Sequence, residues 1–496
     1  MSTRLIISYI AVLAAALVLY VVSCAPGVLW QDSGMIQYRV WHNDIEGRLG
    51  LALAHPLFYV LAIGTKYVPV GEFAQKANLL SAFFGAAAVA NLFLLVRLWT
   101  GQDLPAVISV VTFAVSHTFW QHASVAETYS LYIALFLIEL IMMLQYVKTG
   151  RLVYLYAAGF SNGLAISNHM LASIPLLCYA VFCIVLLSKG SIKLKHLGVV
   201  VLLWVIGAGL YEYLIIRSII KTGDFMEVLA SAAFGNAYRG DVLNANLTLR
   251  MLKENFLYIL LNFPTPNVVL FFIGCFMLFK VSPSRAFGIF PAVIGLLFFV
   301  FAFRYTIVDR YAFFMPFYCV VSIITGLGAH LLQKRARKVI LYAVCAFTLL
   351  PVPVYAAAPA LAHKMQVSIG TKRQIPYRDE YKYFLQPWLT DYRGAERFAN
   401  QALDEVEENA IIWADSTTAY PLLCVQEVKG KRQDVKIISS FDKSKDAPEL
   451  NVDTAANLLN NNEIYVVSLV AGYCPQFLLD SYDFKQQGVL WKVVKR

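Results

Sequence analysis

An acidic residue a few positions beyond a long apolar run sits where a carboxylate can meet a reactant delivered from a lipid bilayer. Asp32 is such a residue, within Trp30-Gln31-Asp32-Ser33-Gly34, and the neighbouring Trp30 is of the type that settles at interface depth. A carboxylate so placed suits a general base, and a helix N-cap is the structural alternative. Further ionisable groups recur at the ends of apolar runs: His55 in Ala54-His55-Pro56-Leu57-Phe58-Tyr59, Glu127 in the segment His117 to Tyr129, His169 after Asn168, and Arg304, Asp309 and Arg310 in the segment Arg304 to Tyr311. Charged and polar groups at such depth are costly, which makes them functional candidates by default. Asp32 and Glu127 are the catalytic candidates. His55, His169, Arg304, Asp309 and Arg310 are the substrate-binding candidates, because a guanidinium fork matches phosphate oxygens and the others can hydrogen-bond a polar ligand. Each has a structural alternative: His169 as a hydrogen-bonded packing residue, Arg310 as an interface anchor, and Asp309 beside Arg310 as an ion pair.

The elements that must position these groups are apolar helices. The 496 residues are 59% hydrophobic and 15% charged, whereas a soluble domain carries roughly a quarter charged residues. Runs long enough to span a bilayer fall at 5–23, 74–98, 104–120, 124–147, 152–168, 170–188, 197–216, 265–281, 286–303, 311–331 and 338–357, about eleven helices. The net charge of +10 gathers in short loops at Lys148 and Arg151, at Lys189, Lys193 and Lys195, at Arg285, and at Lys334, Arg335, Arg337 and Lys338, the pattern of cytoplasmic loops rather than of nucleic-acid binding. With those loops inside, the N-terminus is cytoplasmic, and the outer loop 24–73, the loop 217–264, the turn 304–310 and the tail face the other compartment. The first run is read as a retained helix, since Cys24-Ala25-Pro26 is a poor cleavage context. All candidate site residues then lie on the outer side and would form a polar cleft opening to lipid.

Residues 1–357 therefore read as a transmembrane module and 358–496 as a soluble extracytoplasmic α/β domain. Strand-like runs at 410–413, 435–438 and 464–467 alternate with helical stretches in the tail. Cys424 and Cys474 lie there, where a disulfide can form if the compartment is oxidising; the other six cysteines sit in or beside apolar runs as packing residues. No Walker A motif, Gly-rich nucleotide fingerprint, His-Glu-x-x-His or Cys-x-x-Cys is present. No cofactor is called for, and a divalent metal is left open. Without a nucleotide site, an activated sugar would come from a donor soluble in the bilayer. The sequon Asn246-Leu247-Thr248 falls in an outer loop.

An Asp soon after the first span and a His-Pro-Leu element beyond it resemble the GT-C superfamily of polytopic glycosyltransferases. Within it, the chain is similar to a membrane family long labelled only as a domain of unknown function, which includes protein O-mannosyltransferases. The blocks that carry this are Gln31-Asp32-Ser33-Gly34, Ala54-His55-Pro56, Ala126-Glu127-Thr128-Tyr129, Gly163-Leu164 with His169, Asp309-Arg310-Tyr311, and in the tail Asn409 to Asp415, Tyr420-Pro421-Leu422 and Val428 to Val435. Two departures stand out: Leu57 where the family usually has a second proline, and Ala414-Asp415 where a Gly-Asp pair is expected. The resemblance implies an inverting transfer of a sugar from a polyprenyl-phosphate donor to a hydroxyl of a protein, glycan or lipid, with Asp32 as base and lipid phosphate as leaving group. The expected location is a bacterial cell membrane, or the endoplasmic reticulum in a eukaryote. A transporter or flippase of lipid-linked glycans is the main rival and would usually show internal repeats, which this sequence lacks. A membrane-anchored scaffold is a third reading.

Overall fold

A computed structural model describes residues 2–235, 238–307, 309–369, 373–439 and 452–496. The first half is a bundle of long apolar helices interrupted by short polar ones: α1 (Thr3–Ser23), α2 (Gln31–Trp41), α3 (Pro56–Gly64), α4 (Phe73–Thr100), α5 (Asp103–Ala114), α6 (His117–Ala123), α7 (Tyr129–Thr149), α8 (Leu152–Asn168), α9 (Ser173–Ser188) and α10 (Leu194–Thr222). Among the described residues seven helices are long and apolar enough to cross a membrane, and two bent pairs add up to two more. Their apolar outer faces suit lipid, so the protein is an integral membrane protein.

Of the about eleven expected spans, two beside the site differ from the sequence reading in ways visible in the backbone hydrogen bonds. The run at 104–120 is broken between α5 and α6, which bend by 72°. The first N–H groups of α6 have no intrahelical partner, and side chains from distant helices supply them: Tyr355 Oη accepts from His117 N at 3.1 Å and Asn262 Oδ1 from Thr118 N at 2.9 Å. The run expected from 124 begins as helix only at Tyr129, and in the segment before it the backbone N–H groups of Ala126 and Glu127 are held by Asn78 and Ser81 of α4.

The expected outer loop 217–264 is largely helical. It continues α10 to Thr222 and then forms α11 (Phe225–Phe234), α12 (Arg239–Val242) and α13 (Leu249–Asn262). Then come α14 (Val268–Val281), α15 (Arg285–Arg304), α16 (Met315–Arg335), α17 (Lys338–Thr348) and α18 (Pro351–Lys364), the last two bent by 42°. Close helix packing rests on glycine pairs. A Cβ on Gly163 of α8 would lie 2.8 Å from Ala208 N and 3.0 Å from Gly207 C, and one on Gly207 of α10 would lie 2.9 Å from Leu164 N.

The tail carries α19 (Glu380–Leu385), α20 (Gly394–Glu405), β1 (Ile411–Ala414), α21 (Ala419–Val428), β2 (Lys436–Ser439), α22 (Val452–Asn461), β3 (Ile464–Val466), α23 (Gln476–Ser481), β4 (Tyr482–Gln487) and β5 (Leu490–Lys495). The sheet order is β2-β1-β3-β5-β4, with β1 parallel to β2 and β3, while β5 runs antiparallel to β3 and β4. The closing hairpin β4–β5, turning at Gly488 with φ +55°, goes beyond the three strands expected. Alternation along β1 sends Ile412 and Ala414 into a core with α20 and α21, and Ile411 and Trp413 into a core with α22 and α23. Cys424 belongs to the first core and Cys474 to the second. Both are free and buried, so the disulfide allowed by the sequence does not form. Asp415 is structural: it pairs with buried Arg373, and its Oδ1 accepts from the backbone N–H groups of Thr417 and Thr418, each at 3.0 Å.

The first tail core extends into the membrane module and takes in Val28, Trp30 and Ala74. Trp30 packs on Phe398 at a ring separation of 5.5 Å, and its indole N–H donates to Tyr392 Oη at 2.6 Å. Replacing Gly163 by Leu is expected to push α8 and α10 apart and destabilise the bundle by roughly 1–3 kcal/mol. The melting temperature of the purified protein in detergent checks this; an unchanged value would contradict the close packing.

Candidate functional site

Asp32 is placed by a tight turn between α1 and α2. Gln31 adopts φ +51°, a left-handed conformation, and Gly34 N donates to the Trp30 carbonyl at 3.3 Å. Gly34 also packs so closely on the Leu29 carbonyl that any Cβ would collide with it. Asp32 thereby enters the first turn of α2, where the exposed N–H groups favour a carboxylate.

The turn is locked from behind by one buried amide. Asn78 of α4 donates to the carbonyls of Ala25 at 2.8 Å and Gly27 at 3.2 Å, and its Oδ1 accepts from Gln37 Nε2 and from Ala126 N, both at 3.0 Å. Gln37 in turn accepts from Leu29 N at 3.1 Å. One helical turn on, Ser81 Oγ donates to the Glu127 carbonyl and accepts from Glu127 N, each at 2.9 Å. The Asp32 and Glu127 segments are therefore held by the same face of α4.

His55 closes the opposite wall, in a left-handed conformation (φ +52°) with Pro56 starting α3 behind it. Its Nδ1 lies 2.7 Å from the Asn168 carbonyl, which obliges Nδ1 to carry the proton and leaves Nε2 as an acceptor. His169 has the opposite tautomer, because its Nδ1 accepts from Leu171 N at 3.2 Å. The two rings lie 4.8 Å apart, and His169 also packs on Tyr129 at 5.0 Å. Asn168 Nδ2 donates to the Thr128 carbonyl at 3.0 Å, so His55, His169 and the Glu127 segment share one support.

These groups line one cavity of about 230 Å³. Asp32, His55, Glu127, His169 and Asp309 all face it, together with Gln121, His122 and six tyrosines, of which Tyr383 comes from the tail. Asp32 is open to the cavity yet enclosed by protein, and burial raises its carboxyl above the usual range. Glu127 is raised well above its usual range by burial and then by the fields of Asp32 and Asp309. Asp309 is pushed up to about 7 by burial and the charge of Asp32. Burial keeps His55 neutral, with its pKa lowered to about 4.

Arg304 and Arg310 do not line the cavity. Arg304 Nη1 donates to the carbonyls of Val242 and Asn244, at 2.6 and 2.7 Å, and pins the α12 segment to the end of α15. Arg310 is buried against α13, where it pairs with Glu254 and donates through Nε to Asn255 Oδ1 at 3.0 Å. The phosphate clamp expected of these arginines is therefore not assembled: each guanidinium is already committed to other partners. Among the described residues no group of three or more His, Cys, Asp or Glu side chains is arranged to hold a metal ion. The sequence reading missed His122 and the supporting residues Gln37, Asn78, Ser81 and Asn168. Asn78 and Ser81, polar residues one turn apart at the outer end of a largely apolar run, were the available signal.

Residues 51–195 match a family described as protein O-mannosyl-transferase TMEM260 N-terminal domain. Two solved structures are similar over nearly the whole chain: ArnT from Cupriavidus metallidurans bound to undecaprenyl phosphate (14% identity, TM-score 0.63) and the same protein in the apo state (12% identity, TM-score 0.61). Each comparison covers 99% of this chain and 98% of the other. At such identities the likeness is one of fold.

Two predictions follow from this geometry. Asn78→Leu strands the partners of the buried amide, at roughly 1–3 kcal/mol for each group left unsatisfied, and is expected to lower the melting temperature in detergent by several degrees. For Asp309 the folded pKa of about 7 lies above the ordinary value of 3.8. Its protonated form therefore adds stability that is complete below about pH 4 and is lost as pH rises to about 7. Asp309→Asn cannot ionise, so its melting temperature should gain on the wild type between pH 5 and 7 and hold that gain at pH 8. A constant difference across that range would refute the raised pKa.

Proposed function

We propose that this chain, a polytopic membrane protein of the GT-C fold, is a glycosyltransferase that moves a sugar from a polyprenyl-phosphate donor to an acceptor hydroxyl. The observation that carries this reading is the cavity at the outer ends of the apolar helices, with Asp32 in its wall beside Glu127 and Asp309. The fold shared with a protein crystallised with undecaprenyl phosphate supports a donor of that kind. The family matched over residues 51–195 supports a hexose such as mannose and a protein hydroxyl as acceptor.

In this mechanism Asp32 takes the proton of the acceptor hydroxyl as that oxygen attacks the anomeric carbon. The bond from that carbon to the phosphate oxygen breaks on the opposite face, the phosphate leaves with the electron pair, and the configuration inverts. Glu127, whose proton is retained by burial, donates a hydrogen bond to a sugar hydroxyl. Nε2 of His55 accepts one, and His169 offers its Nε2–H. Tyr383 and Leu389 bring the tail to the cavity, which suits a role in holding acceptor. The N-terminus lies in the cytoplasm and the cavity on the outer side, consistent with the basic residues Lys148, Arg151 and Lys334 to Lys338 at the far ends of the helices.

Membranes holding wild type or Asp32→Asn, at equal protein level, are to be supplied with radiolabelled polyprenyl-phosphate sugars. Transfer is expected from at least one donor, with a loss of about 100-fold or more in the variant. Equal transfer by both would remove Asp32 from the mechanism, and no transfer from any donor would remove the reading itself.

A further inference from the structure

We infer that the cavity selects its donor by charge, admitting a single uncharged sugar residue and excluding a uronic sugar of the same shape, with Asp309 as the residue that sets the exclusion. The inference rests on the glycosyltransferase reading and goes beyond it in naming the class of sugar. Three acids line the cavity, Asp32, Glu127 and Asp309, and neither lysine nor arginine is among the described residues that do. The nearby guanidinium groups are committed elsewhere. Arg304 holds two backbone carbonyls, Arg310 pairs with Glu254, Arg39 lies 3.4 Å from Asp44 and 3.7 Å over the ring of Tyr59, and Arg378, 4.3 Å over the ring of Tyr383, pairs with Glu380 at 3.0 Å.

The three lining histidines add no compensating charge. His55 and His122 each donate through Nδ1 to a carbonyl and His169 accepts through Nδ1 from an amide, the pattern of neutral rings. Burial, which lowers the pKa of all three, acts in the same direction. What remains is a wall of uncharged hydrogen-bonding groups. Six tyrosines line the cavity, and Gln121, buried to more than nine-tenths, donates through Nε2 to the Tyr383 carbonyl while its Oε1 has no partner. Such groups recognise hydroxyls, and Gln121 Oε1 is an acceptor waiting for one.

Size and charge then act together. The volume of about 230 Å³ falls below the usual 300–1,000 Å³ of small-molecule pockets, enough for one sugar ring but not for an oligosaccharide. A carboxylate on that ring would be desolvated among three acids, with no lysine or arginine among the described lining residues to meet it. Asp309 is the determinant because, unlike Asp32, it has no proton to carry in the reaction and, unlike Glu127, it is not held at both backbone atoms by Ser81.

The test uses the full chain in detergent and three matched polyprenyl-phosphate donors for each of the gluco, galacto and manno rings: the hexose, the hexuronic acid and the uncharged hexuronamide. Transfer rates and donor-induced shifts in melting temperature are both read. Hexose and uronamide are expected to be used for at least one ring, and the acid about 100-fold less well. Asp309→Asn should narrow that gap about tenfold, and Asp309→Glu should restore it. Equal use of acid and hexose, or rejection of the uronamide along with the acid, would overturn the inference while leaving the glycosyltransferase reading intact. An unchanged gap in Asp309→Asn would overturn the role of Asp309. If no donor is transferred the enzyme reading fails, and the melting shifts still decide the charge filter: a shift with hexose and not with acid supports it, and equal or absent shifts overturn it.

Discussion

The side-chain amide of Asn78 is the point on which the site depends. A polar side chain on a helix in an apolar bundle is costly unless every hydrogen bond it can make is made, and Asn78 makes all four. Its partners are backbone groups of two different connecting segments and a glutamine from a third element. A loop between membrane helices has no sheet or helix ladder to satisfy its peptide groups, and here one face of α4 does so for the segments carrying both Asp32 and Glu127.

The cavity shows what such rigidity makes possible. Bringing three carboxylates to one small space is unfavourable, and the protein accepts this by raising their pKa values rather than by supplying cations. The arginines nearest in sequence are spent on structure: Arg304 gathers the carbonyls at the end of α12, and Arg310 joins α13 to the turn before α16. Two neutral histidines with opposite tautomers, each set by a backbone partner, face one another across the wall. The polarity of the site therefore comes from fixed donors and acceptors and from carboxyl groups, with no lysine or arginine among the described lining residues.

The tail is continuous with this arrangement. Trp30, two residues before Asp32, is buried in the core that β1, α20 and α21 build, and Cys424 of α21 lies against the Gly34 carbonyl. His117 and Gln121 of the kinked helix α6 bond to the carbonyls of Phe384 and Tyr383, at 2.6 and 3.1 Å. The turn that presents Asp32 is thus packed between α4 on one side and the tail on the other.

The sequence by itself determined the membrane class, the positions of most of the apolar helices, the polar tail with its first three strands and the cluster of Asp32, His55, Glu127, His169 and Asp309, because hydropathy and the cost of buried charge are local properties that a linear reading registers. The resemblance of its blocks to GT-C enzymes pointed to the same fold. What only the tertiary structure decided was where each polar group spends its hydrogen bonds. Arg304 and Arg310 read as a phosphate clamp from their types and their place beside Asp309, yet residues some 50 to 60 positions earlier in the chain hold both. Asn78, Ser81 and Asn168 hold the site together through partners as far as 113 residues away. The break before α6 depends on Asn262 and Tyr355, 144 and 238 residues distant. Burial energy follows residue type and can be summed along the chain, whereas the partner of a hydrogen bond is chosen by proximity in three dimensions.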